Sequence, residues 1–191
     1  MHDVFKHLET FHGIKSVPNP SARTTTPCAQ GSPDALQGFN LEAFLAGAKG
    51  LSVTEKAVIE LMAIGGLRIS EVLNVCQSDV SKSGSIRIRA LKGSSFRVVQ
   101  PFLFREFWMD GGGGLLPLSG VYTRFYFYRL FRKFGLYATF GNNQHSSVTH
   151  YFRHLKGLDI QESFNDWQLT SSVLGHKNIN STQYYGKKKQ K

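Results

Sequence analysis

The apolar residues of this chain change their spacing once, close to Asp79. Between Asn40 and Asp79 they recur with a helical period, in the segments LEAFLAGA and VTEKAVIELMAI. After Asp79 the stretches SIRIRA and SFRVVQP alternate apolar with basic residues, as half-buried strands do. A set of helices followed by a short strand pair indicates a mainly helical α+β fold.

The helical segments carry their own start and stop signals. Asn40 is a candidate N-cap for LEAFLAGA, and Ser52 with Glu55 forms a capping box before VTEKAVIELMAI. Gly65 and Gly66 predict the end of that helix. The next segment, ISEVLNV, predicts another short helix.

The second half of the chain predicts a hairpin and further helices. KGSS between the two alternating stretches indicates a turn, which gives an antiparallel hairpin with Lys92 near its tip. VYTRFYFYRLFRKF has helical length and no Gly or Pro, so it predicts a core helix with one basic side. From Thr149 to Tyr185 only Gly157 and Gly175 interrupt the pattern, which predicts short helices.

Residues 1–38 differ from the rest of the chain. Asp3 is a candidate cap for a short helix, and roughly residues 16–38 hold four of the six prolines among Ser, Thr and Gly. We expect a short helix and an irregular linker there, and one globular domain over 39–191.

Basic charge is concentrated in the second half. The chain has 23 basic and 13 acidic residues, for a net charge of +10, and residues 80–191 hold 17 of the basic but only five of the acidic ones. A hydrophobic fraction of 41% excludes a disordered basic tail. Such a surface attracts nucleic acid phosphates, although anionic lipid and ribosomal RNA remain alternatives at this point.

The cysteines and the lengths of the apolar segments indicate where in the cell the protein is located. Cys28 and Cys76 have no spacing that suggests a disulfide framework or a zinc site. The first residues, MHDVFKHLET, lack an apolar run long enough for a signal peptide, and no stretch approaches the length of a membrane span. We expect a cytoplasmic, nucleoid-associated protein, or one of an organelle matrix or stroma, without a membrane partner.

Five polar features stand out after the fold signals: Arg68, Lys92, the cluster HYFRH at 150–154, LGH at 174–176, and the pair Tyr184-Tyr185. Each alone has an ordinary structural interpretation. An arginine at a helix start usually makes an ion pair, a hairpin lysine is usually solvated, and a single histidine is usually structural.

In order and spacing, however, these features resemble the tyrosine recombinase (phage integrase) family from about Asn40 onward. GGLRISEVLNV resembles the arginine box, IRIRALKGSSFRVV the lysine hairpin, HYFRH the His-x-x-Arg-His box and VLGHKNINSTQYY the closing box. The family separates its second arginine from the LGH histidine by 23 positions and that histidine from the tyrosine by nine, as Arg153, His176 and Tyr185 are separated here.

The resemblance implies a fold, a domain and an activity. The fold would be the mainly helical α+β catalytic core of the DNA breaking-rejoining enzymes, with residues 39–191 as the catalytic domain and 1–38 as a remnant of a core-binding domain. The activity would be site-specific DNA recombination or integration, in which Tyr185 forms a 3′-phosphotyrosine. Tyr184 would point about 100° away on a helix and pack instead.

The remaining catalytic roles also follow from the resemblance, and they suit the residue types. Arg68 and Arg153 would hold the phosphate oxygens with rigid, permanently charged forks, so no metal or other cofactor is expected. His176 would add a hydrogen bond, and His150 would help to accept the tyrosine proton. Lys92 would protonate the leaving 5′-oxygen.

Other polar residues would support the site or bind DNA. Glu71 would orient a member of the cluster or form an ordinary surface i,i+3 pair with Arg68. His154 would act as a buttress. The partner would be double-stranded DNA, with a dimer on each site and a tetramer for strand exchange. The candidate phosphate contacts are Arg87, Arg89, Arg97, Lys177, Lys187, Lys188 and Lys189.

Two other functions stay open on sequence alone. A silent DNA-binding remnant would occupy sites or regulate a full-length recombinase, and a type IB topoisomerase would share the chemistry. The sequence holds all six residues to which the resemblance gives a catalytic role, namely Arg68, Lys92, His150, Arg153, His176 and Tyr185. This complete set favours the recombinase over the remnant. The LGH box and the small size of the chain favour the recombinase over the topoisomerase.

Overall fold

The structure, a computed structural model, describes residues 39–89, 96–140 and 145–176, with the backbone alone for 138–140 and 145–147. The predicted organisation of 1–38 and the hairpin tip with Lys92 lie outside these residues. The strands are β1 (Ile86–Ile88), β2 (Arg97–Val99), β3 (Ala138–Phe140) and β4 (His145–Ser147). The longer helices are α1 (Leu41–Gly47), α2 (Val53–Gly65), α3 (Ile69–Leu73), α4 (Arg105–Met109), α5 (Arg124–Lys133), α6 (Tyr151–Phe164) and α7 (Trp167–Leu174). Short helical turns occupy Gln77–Asp79 and Leu118–Gly120, whereas Gly111–Gly114 is a turn in which all four glycines have positive φ.

The predicted helix signals are confirmed. The Asn40 side chain accepts a hydrogen bond from the Ala43 amide at 2.9 Å, and α1 begins one residue later. Both halves of the capping box form before α2, since Glu55 accepts from the Ser52 amide at 2.6 Å and Ser52 accepts from the Glu55 amide at 3.2 Å. The helix ends at Gly65.

Helix α2 is the centre of the core. It contacts α1, α3, α4, α6 and β2. The side chains of Ala57, Val58, Ile59 and Leu61 are completely buried. Burial of such apolar surface is the main driving force of folding, so α2 sets the position of the elements around it.

The hairpin of β1 and β2 is confirmed, and its register decides which residues face inward. Ile86 pairs with Val99, and Ile88 pairs with Arg97. Ile86, Ile88 and Val99 are buried, whereas Val98 is 60% exposed. Because side chains alternate along a strand, Arg97 lies on the inner face of the hairpin.

A buried carboxylate fixes the chain as it leaves the hairpin. Glu60, on α2, is completely buried. It accepts hydrogen bonds from the amides of Phe102 at 2.9 Å, Leu103 at 2.6 Å and Phe104 at 3.0 Å. Three charge-assisted bonds satisfy the buried charge and hold this segment against α2.

The C-terminal half differs from the sequence expectation in two places. The predicted break at Gly157 is wrong, because α6 runs unbroken for 14 residues and ends where Asn165 adopts a left-handed conformation. Gly157 is buried inside that helix. The antiparallel pair β3–β4 was not predicted, since ATF and HSS lack a clear apolar alternation. The mainly helical α+β fold class is confirmed.

Candidate active site

The turn between α2 and α3 brings Arg68 close to two later segments. Gly66 has a positive φ of 56°, and a Cβ atom there would lie 2.6 Å from Cδ2 of Leu174 and 3.1 Å from Cβ of Lys156. Only glycine permits this conformation and this approach without strain. Arg68 follows as the N-cap of α3, with its side chain 24% exposed.

The Glu71 carboxylate holds both the backbone and the side chain of Arg68. Its Oε2 accepts from the Arg68 amide at 2.8 Å and its Oε1 from Nη1 of Arg68 at 3.0 Å. The Glu71 side chain is completely buried, so the pair is no ordinary surface ion pair. A buried carboxylate with two bonds to one residue restricts where the arginine fork can point.

Arg153, on α6, joins the segments that carry Arg68 and His176. The residue is only 3% exposed. Its Nη1 donates to the Gly66 carbonyl at 2.9 Å and its Nη2 donates to the Leu174 carbonyl at 2.5 Å. Gly66 and Leu174 lie two residues before Arg68 and His176, respectively. The structure therefore brings these three predicted site residues to one place.

The two predicted catalytic histidines share this electrostatic environment. Burial lowers the pKa of His176 to about 4, and the charges of Arg153, Arg68 and Arg97 act in the same direction. Burial also lowers the pKa of His150, and Arg153 and Arg68 again contribute. Both imidazoles are therefore neutral near pH 7, able to donate one N–H and accept one proton.

His154, predicted as a buttress, leads to a test of stability. Burial lowers its pKa to about 4, with contributions from His150, Arg153 and His176. Between the unfolded pKa of about 6.5 and this folded pKa, the unfolded chain binds a proton that the folded chain does not. The free energy of unfolding should therefore fall as the pH decreases from 7.5 to 5.5.

The variant His154→Gln should lose about 1 kcal/mol less over that pH interval than the wild-type protein, because one of the shifted groups is absent. Urea unfolding at the two pH values, followed by circular dichroism, measures the difference. An identical pH slope in both proteins would contradict the assigned burial of His154.

Arg97, predicted to contact DNA from the surface, lies elsewhere. Its side chain is 9% exposed, and its Nη2 contacts Oε2 of Glu71 at 2.5 Å. Its Nη1 donates to the Leu174 carbonyl. The surface assignment of Arg97 is corrected, because its place opposite Ile88 directs it to the inner face of the hairpin.

Two of the predicted DNA contacts, Arg87 and Arg89, are exposed residues of β1 and of the segment just after it. The Arg87 guanidinium stacks on the Phe96 ring, with its Cζ 5.5 Å from the ring centroid. Arg89 forms an ion pair with Asp79 at 2.9 Å. Several predicted site residues lie outside the residues that the structure describes, namely Lys92, Lys177, Tyr184, Tyr185, Lys187, Lys188 and Lys189. Their roles stay predictions.

The structure adds a residue that the sequence analysis missed. Arg124, the first residue of α5, is one of the charges that lower the pKa of His150, after burial, Arg153 and Arg68. The only sequence signal was its position at the start of the aromatic, basic helix.

In the described ranges, no group of three or more His, Cys, Asp or Glu residues is placed to hold a metal ion. Nor does any helix there have the length and apolarity to span a membrane.

Curated proteins with similar sequences are recombinases. The tyrosine recombinase XerC of Vibrio vulnificus strain YJ016 is 32% identical over 151 residues, which cover 71% of this chain and 46% of that protein. A tyrosine recombinase of Agathobacter rectalis is 26% identical over 152 residues, 70% of this chain and 47% of that protein. The chain thus spans about half the length of these relatives. No protein-family model matches the chain.

Solved structures show the same fold. XerH recombinase bound to difH in a pre-cleavage complex superimposes with a TM-score of 0.53 at 22% identity, over 76% of this chain and 47% of that one. The Tn1549 transposon integrase in complex with a circular intermediate DNA gives a TM-score of 0.53 at 16% identity, over 75% of this chain and 58% of that one. The sequence boxes stand in the family order, the fold is that of solved recombinases, and a curated tyrosine recombinase is 32% identical over 71% of the chain. The chain therefore belongs to the tyrosine recombinase family.

Proposed function

We propose that this chain is a site-specific DNA recombinase or integrase that cleaves and rejoins duplex DNA through a 3′-phosphotyrosine intermediate at Tyr185. The observation that carries the proposal is the pair of hydrogen bonds by which Arg153 joins the turns of Arg68 and His176. The guanidinium groups of Arg68, Arg97 and Arg153 and two neutral imidazoles share one small region.

The charge balance of that region suits a phosphodiester. Arg68, Arg97 and Arg153 contribute three positive charges, and Glu71, which contacts two of them, contributes one negative charge. A phosphodiester gathers negative charge on its non-bridging oxygens as a fifth oxygen approaches phosphorus. Fixed cations in a partly buried site stabilise that charge with little reorganisation.

The proposed reaction exchanges one phosphoester bond for another. The Tyr185 oxygen attacks phosphorus, the P–O5′ bond breaks, and the bond energy is kept in the phosphotyrosine. Neutral His150 accepts the phenolic proton, while Lys92 gives a proton to the leaving 5′-oxygen. His176 donates its N–H to a non-bridging oxygen. Attack by a 5′-hydroxyl of another strand reverses these steps.

Duplex DNA is the proposed partner, since the Tn1549 integrase was solved in complex with a circular intermediate DNA and XerH was solved bound to difH substrate. Arg87, on the exposed face of β1, and the exposed Arg89 just after it would contact phosphates together with the lysines at 177 and 187–189. We propose one dimer per site and a tetramer for strand exchange.

The proposal is tested by trapping the covalent intermediate. Candidate-site and random-sequence duplexes carry a nick just 3′ of the scissile phosphate, so that cleavage releases a short fragment and religation cannot occur. A denaturant-stable protein–DNA band is the expected result, and its gel mobility identifies the strand to which the protein is attached.

The other outcome separates the two functional classes. If every duplex fails to give an adduct while salt-sensitive binding persists, the chain is a DNA-binding protein without cleavage activity. Binding should weaken steeply between 50 and 200 mM salt, by about tenfold or more, in either case.

A further inference from the structure

Arg97 is an arginine on the inner face of the hairpin, in contact with both halves of the candidate active site. It pairs with Glu71 of the arginine box and donates to the carbonyl that Arg153 also contacts. We propose that Arg97 is a positioning residue for strand cleavage, which acts through Glu71 to keep the Arg68 fork available to the scissile phosphate. This inference rests on the proposed function.

The contacts of Glu71 explain how Arg97 would act on Arg68. Arg97 Nη2 and the Arg68 amide both bind Oε2 of Glu71, at 2.5 Å and 2.8 Å. The Arg68 side chain binds the carboxylate through Nη1 alone, at 3.0 Å on Oε1. The rest of the Arg68 fork is thus not committed to Glu71.

Removal of Arg97 would change that arrangement. A carboxylate whose second oxygen loses its guanidinium partner can take a bidentate contact with the arginine that remains, which is the preferred geometry of such pairs. Arg68 would then turn its fork toward Glu71. The phosphate would lose donors on its non-bridging oxygens, although the positive charge of Arg68 would still be present.

The second contact of Arg97 reaches the turn of His176. Its Nη1 shares the Leu174 carbonyl with Nη2 of Arg153. Leu174 is the last residue of α7, where the helix dipole concentrates negative charge on the terminal carbonyls. One buried guanidinium therefore links the hairpin, the arginine box and the closing box.

Stability alone gives a poor account of an arginine at this position. Within the described part of the chain, Nε of Arg97 is buried without a hydrogen-bond partner. Burial lowers the pKa of Arg97, and the charge of Arg68 acts in the same direction. A buried N–H without a partner destabilises the folded state, because it has lost its hydrogen bond to water. A buried polar group without a partner needs an explanation, and a role at the active site is one.

The test compares two substrates that differ only in the charge of the scissile group. One is a nicked duplex on which the wild-type protein forms its adduct, and the other carries a neutral methylphosphonate at the same position. On the phosphodiester, Arg97→Met should slow adduct formation by about 10- to 100-fold, because a supporting contact of a catalytic group is lost. On the methylphosphonate, which develops less negative charge, the variant should stay within about threefold of wild type.

Two further variants link the effect to Glu71 and to charge. Arg97→Lys keeps the positive charge without the fork and should give an intermediate loss. If Arg97 acts through Glu71, the double variant Arg97→Met/Glu71→Gln should be no slower than Glu71→Gln alone. Arg105→Met removes the same charge from an exposed residue of α4 and should leave both rates unchanged.

Thermal unfolding of each variant separates misfolding from mispositioning. If Arg97→Met does not fold, Arg97→Lys provides the same comparison between the substrates. Equal slowing on both substrates, or no slowing on the phosphodiester, would overturn the positioning role while the wild-type adduct still supports the proposed function. A wild-type protein that forms no adduct on any duplex would reject both.

Discussion

The Tyr185→Phe variant is expected to form no covalent adduct with any nicked duplex. Its ring keeps the shape of tyrosine but has no oxygen to attack phosphorus, so the transesterification has no nucleophile. Duplex affinity should change by less than about threefold, because phosphate contacts distributed over the surface dominate binding. Denaturing gels measure the adduct, and fluorescence anisotropy measures the affinity.

Tyr184→Phe is the matched control for this experiment. It removes the same hydroxyl from the neighbouring position, which points about 100° away if both residues lie on a helix. We expect the adduct to persist at close to the wild-type rate. A band that survives in Tyr185→Phe and disappears in Tyr184→Phe would reassign the nucleophile by one residue and would break the nine-residue interval from His176.

Arg153→Lys is expected to slow adduct formation by about 10²- to 10³-fold, the loss that follows removal of one preorganised donor at a developing oxyanion. Arg153 is buried, and its two terminal nitrogens each bind a carbonyl of a different turn. A lysine ammonium has no planar fork, so it cannot hold both turns and a phosphate in the same geometry. Single-turnover cleavage on the trapped duplex measures the loss.

The same substitution should also reduce stability, by about 1–3 kcal/mol, because a buried carbonyl loses its partner. Urea unfolding measures this change, and the cleavage assay is run at a temperature where the variant remains folded. Arg105→Lys, the same exchange at an exposed residue, should alter neither quantity. A wild-type rate in Arg153→Lys would mean that Arg153 has a purely structural role.

Local signals predicted much of the fold. The capping box of Ser52 and Glu55 and the stop at Gly65 involve neighbours within four residues, and the structure confirms them. The hairpin followed from alternation. The break expected at Gly157 failed because tertiary packing outweighs the weak helix propensity of one buried glycine.

The candidate site was harder to predict, because it depends on contacts between distant segments. Phe96 and Val98 are apolar residues on either side of Arg97, so alternation alone favours them as the inner face and Arg97 as the outer one. The register instead places Val99 and Arg97 inside and leaves Phe96 and Val98 exposed. A shift of one residue reverses every side chain of a strand. The sequence left open whether Glu71 orients a site residue or forms an ordinary surface pair with Arg68. The complete burial of its side chain excludes the surface pair.

The close approach at Gly66 bears on how a recombinase loses its activity. A methyl group there would lie 2.6 Å from Cδ2 of Leu174 and 3.1 Å from Cβ of Lys156, and the positive φ of 56° would be strained, so the side chains or the turn of Arg68 would have to shift. The exposed arginines of the hairpin would be untouched. A substitution at this glycine, which has no functional group of its own, is therefore expected to disturb the positions of Arg68 and Arg153 while every predicted catalytic side chain is still present.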